Sequence, residues 1–178
     1  MVNRDLEKGL DFEQWLLKKW FSELGYKKNS DRYGVDLTQP GYPAIEAKRE
    51  SSKRATRLPN GLLKYITVQI FVKKDNGPRE LSGPWKAVKQ GVDTMYIVGE
   101  KEAGSYYIVF SGMAYELAQH CDYLRQEAID VLEGRKARPW HLRFDRDSQK
   151  VFALVELSQI AHLNRGMPWI LDVLDGRD

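Results

Sequence analysis

The stretch Arg32-Tyr33-Gly34-Val35-Asp36-Leu37-Thr38, followed after the turn Gln39-Pro40-Gly41 by Pro43-Ala44-Ile45-Glu46-Ala47-Lys48-Arg49, decides the reading of this chain. Each segment has the make-up of a short strand, and the Pro-Gly turn between them predicts a hairpin. Side chains alternate across a strand, so Glu46 and Lys48 point to one side while Ile45 and Ala47 point to the other. In such a hairpin Asp36, near the end of the first strand, comes beside Glu46. Two carboxylates and one ammonium then share a small space. At a separation of ~4 Å and an effective dielectric of 20, two like charges repel by about 4 kcal/mol. The pair persists if a cation sits between the carboxylates, if one is protonated, or if the two are not adjacent. The competing reading of Glu46 and Lys48 is an exposed same-face ion pair worth ~0–1 kcal/mol.

A hard divalent cation suits the first of these cases. Magnesium takes oxygen ligands, binds through one or two carboxylates and keeps several waters. A metal-bound water of lowered pKa is a nucleophile for phosphodiester hydrolysis, and the metal neutralises charge growing on the phosphate. Lys48 beside it is placed to orient that water and to stabilise the phosphate oxygens.

Outward from the hairpin, the chain alternates helices and strands. Asp11, with Gln14 three residues on, reads as the N-cap of an opening helix. Phe12, Trp15, Leu16, Leu17, Trp20, Phe21 and Leu24 recur at helical spacing, and Gly25 is placed to stop it. The basic stretch from Glu50 to Gly61 lacks periodicity and reads as a loop. Lys64 to Val72 is rich in β-branched and aromatic residues and predicts a third strand. Ser82 to Gln90 predicts a short helix with Pro84 in its first turn. Strands are expected over Thr94–Val98 and Tyr106–Phe110, a helix over Met113–Glu133, a hairpin over His141–Asp145 and Val151–Val155, and a helix from about Ser158. With no internal repeat or linker, the expectation is a single α/β domain over residues 1–178, with a central mixed sheet flanked by helices.

The 178 residues are 42% hydrophobic and 30% charged, the balance of a globular chain. No apolar run is long enough for a membrane-spanning helix, and residues 1–10 lack the apolar segment of a secretory signal. One cysteine, Cys121, excludes an intrachain disulfide and a four-thiolate zinc site. A reducing, cytoplasmic location is the expectation. The net charge of +3 is unevenly spread. Between Pro43 and Gln90 eleven Lys and Arg face four acids, a surplus of seven, which leaves minus four for the remainder. A polyanion therefore suits one region.

Asp36, then Glu46-Ala47-Lys48, preceded by an amphipathic helix bearing Glu13, resembles the core of the PD-(D/E)XK (restriction-endonuclease-like) nuclease superfamily. The resemblance implies an αβββαβ core over about residues 11–110, with residues 111–178 as a C-terminal elaboration. It implies that Asp36 and Glu46 bind magnesium, for which manganese would substitute, with the Ala47 carbonyl as a further ligand. Lys48 would assist the attacking water. Glu13 matches the helix acid that completes the site in some members; from the residues alone it reads equally as a first-turn acid favoured by the helix dipole. Gln69, in mid-strand, either lines the site or lies on a solvated face. Arg49, Lys53, Arg54, Arg57 and Lys64 follow the Glu46 strand directly and are the expected DNA-phosphate contacts. A set of ~6 such contacts predicts a log–log salt slope near −5.

The implied activity is magnesium-dependent endonucleolytic cleavage of DNA, by a homodimer if both strands are cut. Restriction-like, homing and junction-resolving subtypes stay open, and the compact size suits a phage or bacterial enzyme. The alternative is an inactive nucleic-acid-binding or assembly module on the same scaffold. The three histidines, His120, His141 and His162, lack metal-site spacing. No nucleotide-binding loop or serine-nucleophile elbow is present, so no nucleotide cofactor is expected. Cys121 reads as a small buried hydrophobe. The five tryptophans and nine tyrosines are of a kind that stacks on bases, but Trp15 and Trp20 sit on the core stripe, most others lie in strands, and core is the default reading.

Overall fold

In the computed structural model, which describes residues 4–30, 35–50, 57–73, 77–145 and 150–167 (side chains from Lys8 onward in the first of these), the opening helix α1 spans Arg4–Leu16. It continues as a π-helical turn over Leu17–Phe21. The wider turn has a reason in the sequence. Leu16 and Phe21 are five residues apart and both fully buried, and an i→i+5 turn returns a residue at that spacing to the same side. Gly25, at φ +88°, ends the helical run as expected.

The helix begins earlier than its cap motif suggests. Asp11 is not an N-cap but an interior residue, because its carboxylate is engaged elsewhere: Tyr106 Oη donates to Oδ2 at 2.5 Å and Lys101 Nζ lies 3.3 Å away. Glu13 therefore lies well inside the helix, and the helix-dipole account of that residue falls.

Among the described residues nine strands follow: β1 Lys27–Lys28, β2 Leu37–Thr38, β3 Ala44–Arg49, β4 Tyr65–Lys73, β5 Arg79–Leu81, β6 Thr94–Glu102, β7 Ser105–Met113, β8 Leu142–Asp145 and β9 Lys150–Glu156. The chain is an α/β protein with a mixed sheet, but its strands form two sheets where one was expected. Backbone contacts divide it into two compact units, the first made of Met1–Ser51, Val92–Met113 and Leu163–Asp178, the second of Ser52–Gly91 and Ala114–His162.

The first unit holds a five-stranded sheet in the order β1-β2-β3-β6-β7. β1, β2 and β3 run antiparallel in succession, β6 is parallel to β3, and β7 is antiparallel to β6. β1 consists of two exposed lysines, which carry no alternation to mark a strand in the sequence. β6 and β7 are longer than expected because a two-residue turn joins them; Ala103 (φ 49°) and Gly104 (φ 85°) both take the left-handed conformation such hairpins use. Phe12, Leu16 and Phe21 of the helical segment pack on Leu37, Ile45, Ala47, Met95 and Ile97, with Tyr106 beside them. Gly99 sits at a bulge in β6, where a Cβ would run into the Phe12 ring. The absent side chain is what lets α1 lie close.

The second unit is an antiparallel sheet in the order β5-β4-β9-β8 with three helices, α2 Gly83–Gln90, α3 Ala114–His120 and α4 Asp122–Leu132. Ile66, Val68 and Ile70 of β4 and Val151, Ala153 and Val155 of β9 form its buried face. The helix expected over 113–133 is broken at Cys121, whose side chain is fully buried and whose thiol is pushed up to about 12 by that burial. The helix expected from Ser158 is two 3-10 turns, Leu157–Gln159 and Ala161–Leu163. Among the described residues no helix is long and apolar enough to cross a membrane.

Candidate active site

β2 and β3 bring the acids together through their pairing. Leu37 faces Ile45 in the antiparallel register, and the Asp36 amide donates to the Ile45 carbonyl at 3.0 Å. Asp36 is thereby the strand neighbour of Glu46. Its side chain folds back on the partner strand, where the Ala47 amide donates to Oδ2 at 2.8 Å. One carboxylate oxygen thus closes the end of the β2–β3 ladder.

Ile45 and Ala47 enter the core under α1, so Glu46 and Lys48 emerge on the other face of β3. Glu46 is only 6% exposed. Lys48 Nζ contacts its Oε1 at 2.6 Å, with 41% of the lysine side chain exposed. Desolvation opposes the ammonium charge, but the Glu46 and Asp36 carboxylates outweigh it and hold Lys48 above its ordinary pKa. Tyr96 of β6 stands opposite Glu46 in the parallel register and is almost fully buried. Its hydroxyl is held well above the usual phenol range, chiefly by burial.

Glu13 of α1 joins this charge cluster. Burial and then the Asp36 carboxylate raise its pKa to about 7, against the opposing pull of Lys28 and Lys48. Lys28 Nζ lies 3.8 Å from Glu13 Oε2. Sequence reasoning missed Lys28 and Tyr96. Lys28 reaches Glu13 only because β1 pairs with β2, a pairing two adjacent lysines do not announce. Tyr96 is placed by a parallel pairing across more than forty residues, which leaves no local signal.

Asp36, Glu46, Lys48 and Glu13 therefore belong to one electrostatic neighbourhood in the first unit, with Ala47 holding Asp36. Arg49 does not join them. It follows Ala47 onto the opposite face of β3, where its guanidinium carbon lies 5.5 Å from the centre of the Tyr106 ring. Lys53 and Arg54 lie outside the described residues. Arg57 and Lys64 belong to the second unit; Arg57 Nη1 donates to the Gly61 carbonyl at 3.0 Å, and Lys64 Nζ lies 5.5 Å from the Tyr65 ring centre. Gln69 is also in the second unit, its amide donating to Ser82 Oγ at 2.9 Å.

Asp36 and Glu46 carry carboxylate oxygens, the donor type that hard divalent ions take. Among the described residues no group of three His, Cys, Asp or Glu side chains is arranged to hold a metal ion. Asp36 and Glu46 form a two-carboxylate set, the number magnesium commonly takes from protein. The raised pKa of Glu13 comes first from its burial and then from the Asp36 carboxylate, with Lys28 and Lys48 opposing. No protein-family model, curated protein or solved structure matches the chain.

Proposed function

We propose that the chain is a magnesium-dependent DNA endonuclease of the PD-(D/E)XK type. The observation that carries the reading is the side-by-side placement of Asp36 and Glu46 on adjacent strands with Lys48 on the Glu46 carboxylate. The element order around them adds support: a helix, the β2–β3 hairpin, and then β6 parallel to β3 in one mixed sheet.

In this reading Asp36 and Glu46, with the Ala47 carbonyl, hold magnesium. When bound, the ion supplies a water of lowered pKa and neutralises charge on the phosphate. Ala47 fixes Asp36 in place through its amide. Lys48, kept charged by its two carboxylate neighbours, presents an ammonium to a phosphate oxygen or to the attacking water. Glu13, with a pKa of about 7, is poised to exchange a proton near neutral pH. The basic segment carrying Lys53, Arg54, Arg57 and Lys64 supplies phosphate contacts. A homodimer follows if both strands are cut.

A second reading, an inactive nucleic-acid-binding module, draws on the same 2.6 Å contact. Glu46 and Lys48 already neutralise each other, as a purely structural pair would. Plasmid cleavage separates the two. The nuclease nicks or linearises supercoiled DNA with magnesium or manganese, and does not with calcium or chelator. Glu46→Ala abolishes cutting while DNA binding and folding persist. DNA binding without cutting under every metal condition favours the second reading, and loss of folding in Glu46→Ala favours the structural ion pair.

A further inference from the structure

Trp140 departs from the expectation that the tryptophans are core. It is 68% exposed, the highest value for any large apolar side chain among the described residues, whereas Trp85 is buried. It is nonetheless held. Tyr65 packs against it in a T-shaped contact at 5.7 Å and His141 in another at 5.6 Å. His141 is in turn fixed by Glu127, with Nε2 and Oε2 2.6 Å apart, and Glu127 also takes an ion pair from Lys136. At the other side, the Leu157 amide donates to the Lys64 carbonyl at 2.9 Å and ties the start of β4 to the end of β9. A large ring with its rotamer already restricted but its surface left in water has little ordering entropy left to lose on binding.

The charges around this ring choose the kind of occupant. Lys64 stands over Tyr65, and Arg138 is exposed two residues before Trp140. Among the described residues neither is paired with a carboxylate, whereas Arg135 is engaged by Asp130 and Glu133 and Lys136 by Glu127. Lys64 thus stands one ring away from the exposed Trp140 face, and Arg138 is near it along the chain. A ligand that complements both carries flat apolar rings and negative charge in alternation, as an unpaired nucleic-acid strand does.

We propose that Trp140, backed by Tyr65 with Lys64 over the Tyr65 ring, is a base-stacking site for single-stranded nucleic acid. A base offers its face to a ring only when it is unstacked from its duplex neighbours. The site therefore favours single strands, frayed ends or branched DNA over intact duplex. It lies wholly in the second unit and does not depend on the carboxylates of the first.

The test is binding without catalysis. A fluorescein-labelled oligothymidine and a duplex of equal length are titrated, by anisotropy in chelator at low salt, with the wild type, Trp140→Ala and Trp140→Phe. The expected result is a loss of about 10-fold or more in single-strand affinity for Trp140→Ala. Trp140→Phe retains most of the affinity, and duplex binding changes by about twofold at most, since phosphate contacts dominate it. Unchanged single-strand affinity in Trp140→Ala, or equal losses for both oligonucleotides, overturns the site. So does a wild type that binds neither strand form; self-association lost in Trp140→Ala would then assign the ring to a second copy of the chain. The outcomes stay separate from the nuclease reading. A stacking effect without plasmid cleavage leaves this site standing alone, and cleavage without a stacking effect leaves only the nuclease.

Discussion

The Ala47 amide donates to Asp36 Oδ2, and that one hydrogen bond both ends the β2–β3 ladder and points a carboxylate at the Glu46 strand. Structure and charge at Asp36 can therefore be separated by substitution. Asp36→Asn keeps an oxygen able to accept from Ala47 and removes the charge. Asp36→Ala leaves a strand amide without that acceptor and costs about 1–3 kcal/mol. Urea denaturation is expected to place Asp36→Asn near the wild type and Asp36→Ala clearly below it. Both variants lose plasmid cleavage. If Asp36→Asn cuts as well as the wild type, Asp36 is structural only.

Glu13 gives a pH dependence with a definite sign. Its folded-state pKa is raised from 4.5 to about 7, so between those values the folded chain keeps a proton that the unfolded chain has released. Stability therefore falls as pH rises through this window, and the full penalty is present above about 7. With 15% of the side chain exposed, the penalty is at most on the order of 2–3 kcal/mol. Glu13→Gln is expected to match the wild type at pH 4 and to exceed it at pH 8, as read by thermal or urea unfolding across that range. A wild type and variant that run parallel from pH 4 to pH 8 would remove Glu13 from the charge cluster.

Much of the first unit was legible because its signals are local. Leu37 against Ile45 and Glu46 beside Lys48 follow from alternation and a Pro-Gly turn, and Gly25 ends the helix where a left-handed residue is needed. The failures share one cause, partners distant in sequence. Asp11 looked like a cap because its Tyr106 and Lys101 partners lie some ninety residues on. Lys64–Val72 was correctly read as a strand, but periodicity does not say which sheet receives a strand, and β4 pairs with β9 rather than with the hairpin. Trp140 reads as core by default, and no local signal marks it as exposed, since its exposure is set by where Tyr65 and His141 stand.

Gly99→Ala tests the close seat of α1 on β6. The added methyl meets the Phe12 ring and, at 3.2 Å, the Tyr107 carbonyl. Overpacking of this kind costs about 1–3 kcal/mol. Thermal unfolding should show that loss, and pairing the change with Phe12→Leu should recover part of it. Additive losses in the double variant would mean that the two positions do not touch.

Magnesium is expected to raise the melting temperature, because binding that requires the folded carboxylate pair stabilises only the native state. At a hundred times the dissociation constant the gain is about 2.7 kcal/mol. The shift should be larger at pH 8 than at pH 5, where Glu13 is protonated, and absent in Glu46→Ala. An equal shift in Glu46→Ala would show binding elsewhere.

The pairing of β3 with β6 also bears on how the chain is made. β3 ends at Arg49 and its parallel neighbour begins only at Thr94. During synthesis the strand bearing Glu46 and Lys48 meets β2 almost at once, while its other edge waits until some fifty further residues have left the ribosome. Through that interval it presents a row of unsatisfied amides and carbonyls, a template on which neighbouring nascent chains can pair. Closing so long a loop is slow. Yield on overexpression should thus be governed by the delay before β6 arrives.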